Sequence, residues 1–496
     1  MDGFPATSLS NDAVKARISA TEAKIRHLRA QINQLMSELQ KEQRTLGKLW
    51  FMVVPIGTLP TELLLEVFSL AVGSECDDAD AAETDILTTG VNRALHQALL
   101  LSHVCSAWRQ IAVCSPHFWA ERMVDVRMDR KNNLDVLRML FDRSAPLSIS
   151  VSLTHGSPMF RTHSPTPSSV AIAQAIAPTA LRWKYLKLDK SSFETVKRIF
   201  SGPFTALEVL DIQFAVNLQS TPIQLFSECS HLRSLTIKSD SMMSSHSLDR
   251  SLRMPWAQLT SLDLMEYNPL ACRSILLQCR NIISVMLTTS EWNSSAVDVP
   301  STTLLFLETL EMRFEDGGED IGRVEPFFTP LCLPTLHGVG LAFDDHRSTV
   351  WPGPEFSAFQ TRAPHVTRIT LNQCPITSPE LITLLLLAPE LKALTLGVCP
   401  NCIDDDFLHA LTYQETSAQQ LGPQLQELHW RYVGVLRSDL FEAAVRSRCW
   451  TANTAPPHFR KLKKITINEE SFLAAPLPYN WMQDLIEQGL ELTCLS

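Results

Sequence analysis

Cys399-Pro400-Asn401-Cys402 puts two thiols at the spacing used by zinc sites and redox dithiols. A structural zinc needs four ligands, and no second CxxC or paired histidine completes the set. Asp404-Asp405-Asp406 stand just ahead of an apolar helical pattern, where carboxylates complement the positive end of a helix. Glu315-Asp316-Gly317-Gly318-Glu319-Asp320 lacks the alternating oxygen ligands of a calcium loop and reads as a plain loop. There is no GxxxxGK[ST], no GxGxxG after a strand, no GxSxG and no HExxH, and the 14 histidines are scattered without partners. No catalytic residue, metal or cofactor is expected, and the chain is not expected to be an enzyme.

The elements that carry these residues are leucine-based. Of 496 residues, 45% are apolar, 19% charged and only 17 are glycine, about half the usual share. Leucine supplies about one residue in seven. Net charge is −10, so the overall electrostatic footprint of a nucleic-acid binder is missing. The N-terminal stretch MDGFPATSLSNDAVK has no apolar core of a secretory signal, and apolar runs stop at about eight residues, too short to span a bilayer. Twelve cysteines do not amount to a disulfide scaffold. The expectation is an intracellular protein, cytoplasmic and/or nuclear, with free thiols and no membrane partner.

From Val14 a seam runs through Ile18, Thr21, Ile25, Leu28, Ile32, Leu35, Leu39, Glu42, Leu46 and Leu49 in unbroken steps of four and three. That 3.5-residue repeat predicts a coiled-coil helix over 11–50, with Asn11 or Asp12 as its cap. Residues 14–49 carry eight Lys/Arg against three Glu. The surplus fits the solvated flanks of a coil, and a nucleic-acid contact is the alternative. A homodimer through 14–49 is one expected use of the seam; folding back on its own chain is the other.

Three phrases follow: Leu59-Pro60-Thr61-Glu62-Leu63-Leu64-Leu65-Glu66-Val67-Phe68, then Leu101-Ser102-His103-Val104-Cys105-Ser106-Ala107-Trp108, then Ser115-Pro116-His117-Phe118-Trp119. The first two read as short helices with an apolar face; Ser115-Pro116 stops the second, and Phe118-Trp119 packs back on it. In this order they resemble an F-box of the fungal F-box-like type, at about 56–122. The resemblance implies a small helical module that docks on a Skp-type adaptor and, through it, on a cullin complex. It also implies that Leu59, Pro60, Leu63, Leu64, Val67, Phe68, Leu101, Val104, Cys105 and Trp108 supply the core and adaptor-facing positions. An F-box ordinarily runs without a break, whereas here about 25 residues intervene at 73–97, with six acids and no base from Ser74 through Asp85.

From Trp183 onward one phrase, LxxLxL, recurs eleven times, from Trp183-Leu186-Leu188 to Leu462-Ile465-Ile467, at an average spacing of about 28 residues. Leu147-Ile149-Val151-Leu153 supplies an earlier alternating strand. The segment resembles leucine-rich repeats over 145–490, which implies an α/β solenoid whose parallel strands line a concave face. Cys374 and Cys399 then fall in the repeat slot where a small polar side chain satisfies turn backbone. Tyr185, Lys187, Asp211, Asp263, Glu311, Arg313, Arg368, Glu427, His429 and Arg431 point outward on that face, a mixture suited to a protein epitope rather than to phosphates. Ser157–Ser169, with three prolines, reads as a surface loop.

Together these features predict a substrate-recognition adaptor of a Skp-cullin-F-box type ubiquitin ligase, holding an unknown protein target on its repeats. The alternatives are a non-degradative interaction scaffold and a coiled-coil regulator whose basic helix touches nucleic acid.

Overall fold

A computed structural model describes residues 11–53, 56, 59–73, 93–120, 123–129, 134–155, 165–214, 222–239, 248–267, 269–289, 302–314, 328, 331–344, 351–414, 420–431, 437–449, 459–468 and 479–495. The acidic run 74–85, residues 157–164 and Glu315–Asp320 lie outside them. The chain divides into two compact units, residues 1–77 with 97–114 and residues 78–96 with 115–496.

The first unit begins with α1 (Asn11–Val53), 43 residues with Asp12 in the first turn. It runs past Gly47, whose cost of about 1 kcal/mol in a helix is too small to break so long an element. The apolar seam lies open along it: Val14, Ile18, Ile25, Leu28, Ile32, Leu35, Leu39, Leu46 and Leu49 are all 39–63% exposed. The other helices of the first unit therefore leave the seam uncovered. After it come α2 (Thr61–Gly73), α3 (Arg93–Val104) and α4 (Ser106–Cys114). Pro60 precedes α2, and its carbonyl takes the Leu64 N–H at 3.1 Å, opening the first turn. Leu64 and Phe68, four residues apart, are buried, and the Phe68 ring lies 4.6 Å from that of Trp108 on α4.

The second unit is a mixed α/β structure built on one parallel sheet of 14 strands that lie side by side in chain order. They are β1 (Met123–Arg127), β2 (Ile149–Thr154), β3 (Trp183–Leu188), β4 (Val209–Phe214), β5 (Ser234–Ser239), β6 (Ser261–Tyr267) and β7 (Ser284–Thr289). The series continues with β8 (Thr309–Phe314), β9 (Gly338–Phe343), β10 (Arg368–Asn372), β11 (Ala393–Gly397), β12 (Glu427–Arg431), β13 (Lys464–Asn468) and β14 (Glu491–Leu495). All 33 apolar positions of the eleven LxxLxL phrases are at most 3% exposed. One face of each of these eleven strands is thus dry, and each strand closes the next. The ladder continues into the residue before each strand: Glu208 N–H donates to Lys184 O, Arg233 to Glu208 O and Thr260 to Arg233 O, each at 2.8 Å. Burial and backbone pairing therefore repeat with the sequence period.

Three strands fall outside the repeat phrase: β2, which matches the alternating run from Leu147 to Leu153, and one at each end of the sheet. β1 lies upstream of the expected start at 145 and pairs in register with β2, and β14 closes the far end against β13. Phe118 and Trp119 are buried in this second unit, where the Arg143 guanidinium sits 4.7 Å from the Trp119 ring centre. The end of the Ser157–Ser169 segment is not loop. Thr166 caps a helix over Pro167–Ile176 by accepting the Ser169 N–H, and Ser169 is buried. A threonine cap with proline at the first helical position satisfies the helix end, and that outweighs the loop-like composition. Asp404 caps Asp405–Leu411 through the Phe407 N–H at 2.8 Å, as its position ahead of an apolar pattern predicts.

Two arginines are buried among the described residues, Arg273 and, more deeply, Arg448. Arg448, 1% exposed, donates to the carbonyls of Leu411 at 2.7 Å, Gly422 at 3.0 Å and Leu421, and burial pulls its pKa down to about 10. It joins the turns of successive repeats by satisfying backbone acceptors that side-chain packing cannot reach.

Candidate functional site

In the helical module the ten residues singled out by sequence separate into two groups. Leu64 and Phe68 are core, Leu59, Leu101, Cys105 and Trp108 are half-buried, and Pro60, Leu63, Val67 and Val104 are exposed. Cys105 follows α3, and its Sγ accepts the Trp108 backbone N–H at 3.4 Å, so it starts α4. The exposed set extends beyond the sequence-predicted one. On α2, Leu63, Val67 and Leu70 stand at i, i+4 and i+7 with 52, 40 and 66% exposure; on α3, Leu100 and Val104 stand at i and i+4 with 56 and 60%. Each helix therefore carries an apolar stripe that the described protein leaves uncovered. Exposed apolar clusters on a protein surface are common at sites of protein–protein contact.

The sheet brings the ten outward-facing candidates onto three adjacent rows. The middle row reads Asp125, Ser152, Lys187, Asp211, Thr236, Asp263, Met286, Glu311, Gly340, Thr370, Thr395, His429, Thr466 and Thr493 in unbroken register. Tyr185, Arg368 and Glu427 share the row on one side of it, Arg313 and Arg431 the row on the other. Four carboxylates occupy the first eight places of the middle row, and none occupies the last six. Lys187 Nζ meets Asp211 at 3.5 Å, and His429 Nδ1 lies 2.9 Å from Thr466 Oγ1 and its Nε2 3.6 Å from Glu427. Glu311 and His429 are four strands apart, about 19 Å at the usual strand spacing. The candidates therefore fall in two groups, a mainly acidic one on β3–β8 and a mixed one on β10–β12.

Asp263 is the electrostatic centre of the acidic group. Burial, together with Asp211 and Glu311, pushes its carboxyl up to about 6, and its Oδ1 is buried without a hydrogen-bond partner among the described residues. The Tyr185 phenol is pushed up by burial and by Asp211 and Asp125. On β9 the row positions are Gly338, Gly340 and Ala342, so the backbone lies nearly bare there. A Cβ on Gly340 would stand 3.2 Å from Glu311 Cγ; its absence lets the glutamate lean across the strand.

Sequence reasoning missed a groove at the strand entrances. It has a volume of about 460 Å³ and is lined by Arg233, Gln258, Thr260, Asn281, Ile283, Phe306, Glu308 and Thr335. Phe306 and neighbouring Leu305 are 54 and 57% exposed, between buried Leu304 and Leu307. The signal was there: two large apolar residues sit out of phase with the buried leucines on either side.

The chemistry-bearing side chains are spent on structure. Cys374 donates to the Leu341 carbonyl at 3.5 Å and Cys399 to the Gly397 carbonyl at 3.3 Å, one step apart in the ladder, and Cys402 donates to the Cys399 carbonyl at 3.0 Å. All three are fully buried, and burial pushes the Cys374 thiol well above its ordinary value. Among the described residues no group of three or more His, Cys, Asp or Glu is placed to hold a metal ion. His155, Asp189 and Ser192 come together in a manner that resembles a catalytic triad. The same His155 nitrogen, Nδ1, faces both Ser192 Oγ at 3.0 Å and Asp189 at 3.6 Å, so no relay runs through the ring. Ser192 is buried, and Asp189 caps its helix by accepting the Ser192 N–H at 2.8 Å. Burial opposes ionisation of Asp189, but its bonds to His155 and Ser192 outweigh that and hold its carboxyl below the usual value.

No helix among the described residues is long and apolar enough to cross a membrane. No family model matches the chain, and no curated protein does. Among solved structures the chain is similar to the leucine-rich repeat-containing protein LegL7 from Legionella pneumophila, at 16% identity and a TM-score of 0.28. That match covers 56% of this chain and 97% of the other.

Proposed function

We propose that this chain is a substrate-recognition adaptor of a Skp-cullin-F-box type ubiquitin ligase. In this reading the α2–α4 helices dock on the Skp-type adaptor, and the 14-stranded unit is a leucine-rich-repeat solenoid that holds a protein target. The observation that carries it is the uncovered apolar stripe of Leu63, Val67 and Leu70 with Leu100 and Val104, on helices whose phrases stand in F-box order. An adaptor seated there buries side chains that the protomer leaves exposed, while Leu64, Phe68 and Trp108 hold the helices together. On the other unit, the rows bearing Tyr185, Lys187, Asp211, Asp263, Glu311, Arg313, Arg368, Glu427, His429 and Arg431 form the target surface. Long parallel sheets present such rows at fixed spacing, which suits an extended protein epitope. The protein performs no bond chemistry itself. It raises the effective concentration of target lysines near a ubiquitin-charged enzyme held elsewhere in the assembly.

Co-purification of the full chain with a recombinant Skp-type adaptor tests the docking half. Leu63→Asp with Val104→Asp removes the interaction and leaves folding intact, because both side chains are solvent-facing. Retention of the adaptor by that double variant excludes the stripe as the docking face. A reconstituted ubiquitination reaction on a captured target then separates a ligase subunit from a non-degradative scaffold.

A further inference from the structure

α1 presents an exposed apolar seam that the rest of the first unit does not cover. Its heptad phase places Ile18, Ile25, Ile32, Leu39 and Leu46 at a, and Val14, Thr21, Leu28, Leu35, Glu42 and Leu49 at d. Isoleucine at a with leucine at d is the arrangement that favours two parallel strands, because β-branched side chains pack well at a and leucine at d. Five of the ten positions from 14 to 46 follow it directly: Ile18, Ile25 and Ile32 at a, Leu28 and Leu35 at d. The seam spans about 54 Å at 1.5 Å per residue. A strip of that length and about 10 Å width on each helix buries on the order of 1,000 Å² over both, the lower bound for a biological interface.

We infer that α1 is one half of a parallel, in-register, two-stranded coiled coil whose other half is a second copy of this chain. The flanking charges fix what that register brings together. A g residue meets the e residue five positions later on the partner, so Arg17 faces Glu22 of the second copy, twice by symmetry. The same rule sets Lys24 against Arg29, and the d layer at 42 sets glutamate against glutamate. The N-terminal Ile/Leu heptads and the Arg17–Glu22 pairs therefore supply the association, and the like-charged Lys24–Arg29 contacts and the Glu42 layer limit it. In an antiparallel pair, g meets g and e meets e, and Arg17 never reaches Glu22. The inference does not depend on the proposed ligase role, because it uses only α1.

Sedimentation equilibrium of the full chain at micromolar concentration tests it. The expected mass is twice 55.6 kDa. Ile25→Asp with Ile32→Asp should return the monomer, without loss of the thermal transition of the second unit, since both side chains are exposed in the protomer. Glu42→Leu should tighten the dimer at least tenfold. For orientation, Arg17→Glu and Glu22→Arg should each weaken association several-fold, and the two together should restore it. A monomeric parent, a trimer or tetramer, a dimer indifferent to the isoleucine substitutions, or failure of the charge-swapped pair to recover overturns the inference.

Discussion

Asp263→Asn on β6 tests whether the sheet's outward face is electrostatically frustrated. The parent carboxyl is half-buried, its Oδ1 has no hydrogen-bond partner among the described residues, and Asp211 and Glu311 lie two strands away on either side. Burial and those two neighbours raise it from 3.8 to about 6 in the folded protein. The folded state therefore holds this proton where the unfolded chain has released it. Its stabilising contribution is fully present below pH 3.8 and is lost as pH rises through about 6. At ~1.4 kcal/mol per pH unit the rise is worth about 3 kcal/mol for a fully buried group. The solvent-facing side of this carboxyl screens the interaction, which reduces the figure to about 1–2 kcal/mol. Asparagine cannot ionise, so the variant should match the parent near pH 4 and exceed it above pH 7, by about 1–4 °C in Tm. Thermal unfolding of both proteins by circular dichroism at steps from pH 4 to 8 gives the difference, in which other titrating groups cancel. A difference that stays constant with pH, or that grows toward acid, refutes the reasoning.

Arg448→Met should cost about 3–5 kcal/mol in urea unfolding, because three buried carbonyls lose their donor and methionine supplies none. Leu394→Ala, at a 0% exposed repeat position, should lose about 2–5 kcal/mol, while adjacent Thr395→Ala on the outward row should stay within about 0.5 kcal/mol. Native alkylation with iodoacetamide, read by peptide mass spectrometry, should modify exposed Cys114 and spare Cys374, Cys399 and Cys402 until denaturant is added.

The repeat was legible because every unit repeats one physical requirement. A strand buried on one face needs leucine-like residues at fixed offsets, and Leu394 and Leu396 meet it as directly as Leu210 and Ile212 do. The end strands were not legible for the same reason. Met123–Arg127 closes the sheet with only Val124 and Val126 buried, and Glu491–Leu495 has one neighbour, so neither needs the full phrase. Arg448 is invisible in sequence because its three partners are backbone carbonyls, and those leave no residue-type signature. In the module, helical spacing located the apolar residues, yet only packing separated Leu64, which fills the core, from Leu63, which faces solvent. Leu70 and Leu100 were missed because they lie outside the phrases that carry the F-box resemblance. The outward rows were assigned by alternation alone, and the parallel register sets those residues side by side across the sheet.

In the proposed function the first unit docks a Skp-type adaptor through its exposed stripe and not through its core. Isothermal titration of the full chain with a purified Skp-type adaptor measures that contact. We expect one adaptor bound per chain, abolition of binding by Leu63→Asp with Val104→Asp, and unchanged binding when Thr395→Ala alters the distant sheet face. No heat of binding from the parent chain, or equal affinity for the parent and the Leu63/Val104 variant, contradicts it.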